Sequence, residues 1–448
     1  MQNSGSVQEL ARSGVLTVRS GIGKLRANSF LRNVGIMSSG AAFGHLFTLA
    51  AAPLLTRIYG PEEFGSLGLF TTLLSTLSVA TTLQYEISIV VGNDEKEAAY
   101  LTFGSLIVAL PVCALAGVLH WLLIRFRLLG FGGMPWFSPL LLAFAMAFVG
   151  TFTALRYWSL REKQFRWIAQ ATIVQSAARS ILQTALGIAG MKASGLLIGE
   201  TLGRGMGMSK NLRSSWSVLR PHALAFRWNE LGQALWRHRK FPLFSFPSSF
   251  LDALCLGLPL PLLVHMYGVS LGGYYSLVWK AITVPSVLIV VSVADTFHSS
   301  LATCARDTPE QVGMLFRRTS IGLLLAGLLP TALLLLSGPQ LFGWIFGSRW
   351  QLSGVIAAII APWYLAQFVA NPLSRVVVVL SGQEIKLIWD VLCLVSLAGV
   401  FYAARTLHLA PMDTIKVLSA VYTVLFIVYF LILRQIVARF TQSHTTAA

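Results

Sequence analysis

Long apolar runs, separated by short polar breaks, recur from residue 34 almost to the end of the chain. Most are roughly 18 to 26 residues long, the length that a helix needs to cross about 30 Å of hydrocarbon. Of the 448 residues, 55% are hydrophobic and 11% are charged, whereas about a quarter of a soluble domain is charged. Because so few polar residues cannot cover a water-exposed surface, the sequence predicts an all-α integral membrane protein.

Twelve candidate transmembrane helices follow from these runs. They lie at roughly 34–56, 66–91, 99–124, 136–158, 168–190, 193–208, 241–266, 271–297, 319–337, 352–380, 387–404 and 415–433. The short sixth helix carries Glu200 and Arg204, which lie one helical turn apart and can neutralise each other as an i,i+4 ion pair. Several prolines interrupt the seventh. Since each removes a helix donor, we expect the seventh helix to be a bending element.

The longest hydrophilic stretch, 209–240, divides the chain into two blocks of six helices. We therefore expect an N-terminal tail over 1–33, six-helix bundles over 34–208 and 241–433, and a C-terminal tail over 434–448. The first of these tails is polar and basic, with no apolar core before a small-residue cleavage site. It is predicted to be a cytoplasmic tail rather than a cleaved signal peptide.

Lysine and arginine are distributed unequally between the two sets of alternating loops. The set that includes both termini holds 24 of them, and the opposite set holds 7. Because cytoplasmic loops carry the excess of basic residues, both termini are predicted to be cytoplasmic. The formal charge of +17 is therefore interpreted as topology-setting charge that faces anionic lipid, not as a nucleic-acid site.

Four cysteines occur, and none has the CxxC spacing of a zinc or redox site. Neither a structural metal nor a cofactor is expected.

An internal repeat relates the two blocks. Residues 53–69 (PLLTRIYGPEEFGSLGL) and 261–277 (PLLVHMYGVSLGGYYSL) align without a gap at an offset of 208, with seven identical positions. Each copy closes the first helix of its block, turns at Tyr-Gly and opens the second. Because six helices separate the copies, the blocks are predicted to be parallel repeats about an axis along the membrane normal, with a cavity between two bundles that can rock.

The first copy and its continuation, PLLTRIYGPEEFGSLGLF and TTLQYEISIVVGNDEKEA, resemble the N-terminal signature of the polysaccharide transporter family, the O-antigen and exopolysaccharide flippases. The segment KFPLFSFPSSFLDALCLGLPLPLLVHMYG is similar to the segment that opens the seventh helix of that family. The resemblance covers both halves and most of the chain, and it implies the superfamily that also contains multidrug exporters and the peptidoglycan-precursor flippase.

Three expectations follow from the resemblance. The activity is flipping of an undecaprenyl-pyrophosphate-linked oligosaccharide from the cytoplasmic to the periplasmic leaflet, without covalent chemistry, so the chain is not expected to be an enzyme. The location is the bacterial inner membrane. The partners are the lipid-linked oligosaccharide and membrane lipids, with other polysaccharide assembly proteins as further candidates and no nucleic acid.

Three basic residues lie inside the predicted helices and are not counted with the loops: Lys280, Arg179 and Arg375. Lys280 lies about 12 Å deep, eight residues after Gly272, where it cannot easily reach either headgroup layer. Arg179 is also near mid-depth, whereas Arg375 can snorkel to an interface. Since a fixed cation lowers the barrier for a pyrophosphate in a low-dielectric region, these residues are the candidate substrate-binding groups, Lys280 first. A structural ion pair is the alternative.

Two pairs of ionisable residues hold nearly matching places in the two blocks. His45 and Asp252 lie eleven residues into the first and seventh helices, and Glu86 and Asp295 lie near the cytoplasmic ends of the second and eighth. These groups are candidates for proton or sodium coupling, because carboxylate and histidine relays serve that role in transporters. Alternatively, they bond neighbouring helices and neutralise Lys280 or Arg179.

A multidrug or other cation-coupled exporter of the same superfamily is the second candidate function. Such an exporter is expected to concentrate acids rather than lysine and arginine in the membrane, which favours an anionic lipid-linked substrate here. A membrane glycosyltransferase, polymerase or ligase would carry a sizeable periplasmic loop or an acid-rich catalytic loop. Neither is visible in the sequence.

Overall fold

The computed structural model describes Gly40 and residues 42–380 and 383–445, and this part of the chain contains helices and turns but no strand. The predicted tail 1–33 and the start of the first predicted span lie outside the described residues. The helices are α1 (Ala42–Ile58), α2 (Pro61–Ser78), α3 (Tyr85–Val91), α4 (Glu95–Arg125), α5 (Ser138–Arg161), α6 (Phe165–Ile188), α7 (Lys192–Gly205), α8 (Met208–Leu224), α9 (Trp228–Arg237), α10 (Phe246–Gly257), α11 (Pro259–Tyr267), α12 (Val269–Asp307), α13 (Val312–Phe346), α14 (Gln351–Leu373), α15 (Arg375–Val379), α16 (Gln383–Thr406) and α17 (Pro411–Thr445).

Seven helical stretches among the described residues are long and apolar enough to cross a membrane, and α1 is a shorter apolar helix. The seven are Glu95–Arg125, Ser138–Arg161, Phe241–Tyr267, Pro309–Phe346, Ser348–Val377, Ile388–Thr406 and Pro411–Gln442. We call α1–α7 the first lobe and α10–α17 the second lobe. The end that carries the Tyr59-Gly60 and Tyr267-Gly268 turns is called the turn end, and the end that carries α8 and α9 the linker end.

The second predicted helix is broken in the structure. The span 66–91 was expected to be one helix, but α2 ends at Ser78 and α3 begins only at Tyr85. Between them Leu83 and Gln84 take left-handed backbone angles, with φ of 49° and 65°. The break falls in sequence as apolar as the helix around it, so hydropathy carries no signal for it.

The predicted linker 209–240 is also more ordered than a loop, because α8 and α9 occupy most of it. Leu231 and Ala234 of α9 are buried. Two ion pairs, Lys96–Glu230 at 2.9 Å and Arg237–Glu97 at 2.6 Å, fasten α9 to the first turn of α4. Hydrogen bonding to the Lys96 ammonium lowers the pKa of the Glu230 carboxyl. The linker is therefore a part of the first lobe.

The seventh predicted span is divided into three pieces. A π-helical turn, Phe241–Ser245, precedes α10, and Leu258 joins α10 to α11. A proline opens each piece at its first or second position, where a missing N–H costs no hydrogen bond. The segmentation agrees with the proline pattern, and bending of this element stays a prediction.

The two lobes meet most closely at the turn end, where α2 crosses α12. A β-carbon placed on Gly65 would lie 2.0 Å from the carbonyl oxygen of Val269, and one on Gly273 would lie 1.8 Å from that of Pro61. Gly65 and Gly273 are an identical pair of the 208-residue repeat. The repeat therefore puts equivalent glycines against each other, and only glycine allows the two backbones to approach this closely.

Trp350 adds a second contact between the lobes at the turn end. Its side chain is fully buried, and its indole N–H donates to the carbonyl oxygen of Thr56 over 3.0 Å. Its ring packs edge-on against Phe64 of α2, with centroids 5.0 Å apart, and lies 5.7 Å from the ring of Tyr274 of α12. Since buried indoles need an acceptor, this bond fixes the second lobe against α1.

Replacement of Gly273 by alanine should destabilise the protein by about 1–3 kcal/mol or more, because the new methyl group would overlap a backbone carbonyl that cannot rotate away. The thermal midpoint of the purified protein in detergent measures this effect. Gly322→Ala is the matched control, since Gly322 is an exposed helical glycine with nothing within 4 Å of an added β-carbon. Equal midpoints for the two variants would contradict the close crossing.

Candidate functional site

A cavity of about 730 Å³ lies between α2 and the second lobe. The first lobe contributes residues of α2 between Phe64 and Thr72, and the second contributes residues of α10, α12, α14, α16 and α17. The cavity thus extends from the α2–α12 crossing toward the linker end. It lies at the junction between the lobes, the position that the parallel repeat predicts for a transport cavity.

Aromatic side chains form much of the second-lobe wall. Trp363 packs on both Trp279 and Tyr422, with ring centroids 4.9 and 4.6 Å apart. Nearby, Trp389 stacks on Tyr429 at 4.5 Å. All five rings line the cavity. Such a wall offers broad apolar faces with a few polar edges, which suits a ligand that has both apolar and hydroxyl-rich parts.

Lys280 lines the cavity from α12. It belongs to none of the ion pairs among the described residues. The carboxylate that acts on it most strongly is Glu200 of the first lobe, and the charge of Arg179 also reaches it. Lys280 therefore forms no direct ion pair among the described residues, and its role in substrate binding stays a prediction.

The carboxylate of Glu200 is already shared by two arginines. Arg179 Nη1 lies 3.2 Å from Glu200 Oε1 and Arg204 Nη2 lies 2.7 Å from the same oxygen, while Gln183 donates to Oε2 over 3.2 Å. The i,i+4 pair that the sequence predicts between Glu200 and Arg204 is confirmed. With two cations and one anion, this first-lobe cluster carries a net positive charge, which adds to that of Lys280.

A second cluster lies on the cavity wall in the second lobe. Lys386 Nζ lies 3.1 Å from Asp252 Oδ1 and 2.8 Å from both carboxylate oxygens of Asp390. Asp390 is almost fully buried, whereas the side chain of Asp252 is 51% exposed. All three residues line the cavity. With one cation and two anions, this cluster has the opposite sign of net charge to the first-lobe cluster.

The two clusters occupy nearly matching places in the two blocks. Asp252, Lys386 and Asp390 follow His45, Arg179 and Gln183 by 207 residues in each case, one fewer than the 208-residue offset of the repeat. The neighbouring helices correspond as well. His45 of α1 lies within electrostatic reach of Arg179 of α6, as Asp252 of α10 contacts Lys386 of α16. The predicted match between His45 and Asp252 is therefore part of a larger match, in which the carboxylate comes from Glu200 in one lobe and from Asp390 in the other.

The remaining predicted residues lie away from the described cavity wall. Arg179 belongs to the first-lobe cluster, and Arg375 is exposed at the start of α15. Glu86 is buried and accepts a hydrogen bond from the hydroxyl of Thr82, while Asp295 is exposed on α12. The near-matching pair of Glu86 and Asp295 thus has two different environments.

Sequence reasoning missed Lys386 and Asp390. Lys386 lies one residue before the predicted eleventh span and so belongs to the loop cations, while Asp390 lies inside that span and is not among the predicted site residues. The i,i+4 spacing of the two residues was the available signal, the same signal that identified Glu200 and Arg204.

The fold of this chain is similar to that of solved transporters. No family model and no curated protein sequence matches the chain. Solved structures match the chain over most of their length, among them three transporters. The first is the lipid II flippase MurJ in an inward closed conformation, with a TM-score of 0.68 and 12% identity over 91% of this chain and 90% of that one. The second is an inward-facing multidrug resistance MATE transporter of the MOP superfamily, with a TM-score of 0.67 and 14% identity over 89% of this chain and 96% of that one. The third is a MOP superfamily transporter from Pyrococcus furiosus, described as having a binding pocket of reverse polarity, with a TM-score of 0.59 and 15% identity over 91% of this chain and 96% of that one. The chain has the two-lobe fold of these transporters.

This likeness, together with the apolar helices, confirms the predicted fold class of an all-α membrane protein with about twelve helices in two six-helix bundles. The chain is a multi-pass membrane protein. Identities below 16% carry the fold alone, so the boundaries of the bundles, the orientation of the termini and the polysaccharide transporter family stay predictions.

Glu200→Gln should destabilise the protein by about 3 kcal/mol or more, because it leaves the guanidinium groups of Arg179 and Arg204 without their shared counter-ion inside the membrane. The thermal midpoint in detergent and the abundance in the membrane should both fall. Asp413→Asn is the control: it breaks the exposed pair with Lys416, 2.8 Å long, which is worth about 0–1 kcal/mol. An unchanged midpoint for Glu200→Gln would show that Glu200 does not neutralise the arginines.

Proposed function

We propose that the protein is a flippase that moves an undecaprenyl-pyrophosphate-linked oligosaccharide from the cytoplasmic to the periplasmic leaflet of a bacterial inner membrane. The proposal combines the flippase signature in the sequence with the two-lobe transporter fold. A cation on the cavity wall is the observation that carries it: Lys280, which lies in the predicted eighth span, has no ion-pair partner within the described residues.

Electrostatics favours an anionic substrate at this position. A free charge inside a membrane costs several kcal/mol, and a transporter for an anionic headgroup gives a reason to retain it. Arg179 and Arg204 together outweigh Glu200, so this first-lobe cluster, which lies behind the cavity wall, adds positive potential to that of Lys280. A pyrophosphate in the cavity would replace part of its lost hydration with this field and with a charge-assisted hydrogen bond from Lys280.

The wall suits the rest of the substrate. The five rings around Trp363 offer apolar faces for the prenyl chain or for the faces of sugar rings, while the hydroxyl and indole edges can bond to sugar hydroxyls. In this mechanism the lobes rock about the α2–α12 crossing, and the Trp350–Thr56 contact must break for the turn end to open. The solved flippase among the similar structures acts on lipid II, which supports a lipid substrate.

Export of an organic cation is the second candidate. The carboxylates of Asp252 and Asp390 together with the aromatic wall are groups that attract a lipophilic cation. However, Lys386 already lies between the two carboxylates, and Lys280 would repel a cation that entered the cavity. The observed charges therefore favour the anionic substrate. For coupling, we propose that protons or sodium ions act at Asp252, whose carboxylate is exposed to the cavity.

Lys280→Gln should reduce delivery of polysaccharide to the cell surface by about tenfold or more, since a charge-assisted hydrogen bond is worth about 1.5–3 kcal/mol. Lys280→Arg should retain part of the activity, because it keeps the charge but changes the phosphate geometry. Surface polysaccharide is measured together with protein abundance in the membrane, and abundance should stay normal. Lys416→Gln, which removes an exposed lysine at the turn end, is the control with unchanged export.

Two results would contradict the role of Lys280. Normal export by Lys280→Gln at normal abundance would show that the cation is dispensable. Loss of export in proportion to loss of abundance would show that Lys280 serves folding instead.

A further inference from the structure

We propose that α8 and α9 form a binding surface for anionic phospholipid headgroups at the linker end. This linker surface consists of the exposed sides of the two helices, and its occupant is the lipid leaflet itself. The proposal stands on the arrangement of tryptophan and arginine side chains on these helices and does not depend on what the protein transports.

Helix α9 has two unlike sides. One side carries Leu231 and Ala234, which are buried against the first lobe. The opposite side carries Trp228 and Trp236, two helical turns apart, and each side chain is 69% exposed. Gly232 lies between them and has nothing within 4 Å of an added β-carbon. The protein therefore holds two large indoles outward on a helix that is already anchored.

Helix α8 repeats this pattern. Ser215 and Leu219 are buried, and Trp216 and Leu224 are exposed on its other side. Large exposed apolar side chains at this density are unusual on a surface that faces only water. Tryptophan is enriched where a protein meets the membrane interface, because its ring is apolar and its N–H is polar.

Basic side chains surround the exposed tryptophans. They are exposed, and none belongs to an ion pair among the described residues: Arg213, Arg220, Arg227, Arg239 and Lys240. The guanidinium carbon of Arg239 lies 4.2 Å from the ring centroid of Trp236. By contrast, Arg237 is occupied by Glu97. The acids of this region are used to dock the helices, so the outward side keeps an uncompensated positive charge.

An anionic headgroup layer fits both features at once. Amphipathic helices with tryptophan on one part and arginine on another bind at the lipid interface, and each basic residue near the surface adds affinity for anionic lipid. The position agrees, because α9 docks on the first turn of α4, where that membrane helix begins. This position beside the start of a membrane helix favours the lipid leaflet over a soluble anionic protein as the occupant.

Lipid binding here would hold one lobe in place. The ion pairs of α9 with Glu97 and Lys96 tie the linker surface to the first lobe, and Lys240 leads directly into the π-helical turn that opens the second lobe. An anchored first lobe with a jointed connection at Phe241–Ser245 allows the second lobe to move against it. Anionic lipid would then support the transport movement.

The test uses the full chain in vesicles of phosphatidylcholine and phosphatidylglycerol, with bromine on the acyl chains of one lipid at a time. Bromine quenches tryptophan fluorescence on contact. We expect brominated phosphatidylglycerol to quench more than brominated phosphatidylcholine at equal content. The excess should disappear when the three indoles of the linker surface are replaced together, Trp216→Phe, Trp228→Phe and Trp236→Phe.

A charge variant and a matched control complete the test. The linker variant combines Arg213→Gln, Arg220→Gln, Arg227→Gln and Arg239→Gln, and the control combines the exposed turn-end substitutions Arg125→Gln, Arg127→Gln, Arg349→Gln and Arg405→Gln. The excess quenching should fall at least about threefold in the linker variant, since each basic residue is worth roughly fivefold in affinity, and should persist in the control.

Three outcomes would overturn the proposal: equal quenching by the two lipids in the unmodified protein, excess quenching that survives loss of Trp216, Trp228 and Trp236, or equal effects of the two charge variants. The first of these would leave a protein partner as the occupant of the linker surface. Because no transport is measured, failure here says nothing against the flippase proposal.

Discussion

Compensation of charge inside the membrane is the constraint on which the interior of this protein depends. A cation in hydrocarbon must find an anion, a hydrated cavity or an interface. Arg179 and Arg204 share Glu200, and Lys386 lies between Asp252 and Asp390. Lys280 alone among these four cations has no such partner, and it is placed on the wall of the cavity between the lobes. Three of the four cations are thus paired with carboxylates of the protein, and in the proposed mechanism a transported anion pairs with the fourth.

The internal repeat explains how the charges come to lie where they do. In each block a polar position in α1 or α10 lies near a basic position in α6 or α16. In the first lobe the acid comes from α7, so two arginines surround one carboxylate, and in the second lobe two carboxylates surround one lysine. The cavity thus lies near a first-lobe cluster of positive net charge and a second-lobe cluster of negative net charge. Such an asymmetry gives an anion a preferred side within a cavity that symmetry alone would leave balanced.

Much of this architecture could be predicted from the sequence, since hydrocarbon imposes helix length and apolarity on every span. The apolar runs and the repeat predicted the two bundles, and the identical glycines of the repeat are the residues at the α2–α12 crossing. The break at residues 79–84 could not be predicted, because Leu83 and Gln84 adopt left-handed angles without any glycine or proline nearby. The site was predicted in part. Depth in the predicted span selected Lys280, which lines the cavity, and its role stays a prediction. Ion pairing depends on which helices face each other, so the sequence could not show that Arg179 lies in a cluster away from the cavity wall or that Lys386 lies on that wall.

The central claim is that the cavity accepts a lipid because its headgroup is anionic, and a direct assay of flipping tests it. The purified protein is reconstituted in vesicles with one of two lipids that share the same prenyl chain and sugar, joined through pyrophosphate in one and through an uncharged ether in the other. Transfer between leaflets is followed by the access of a membrane-impermeant sugar-modifying reagent. We predict that the protein accelerates transfer of the pyrophosphate lipid and leaves the ether lipid at the rate of protein-free vesicles. Equal acceleration of both lipids, or none for the pyrophosphate lipid, would contradict the account.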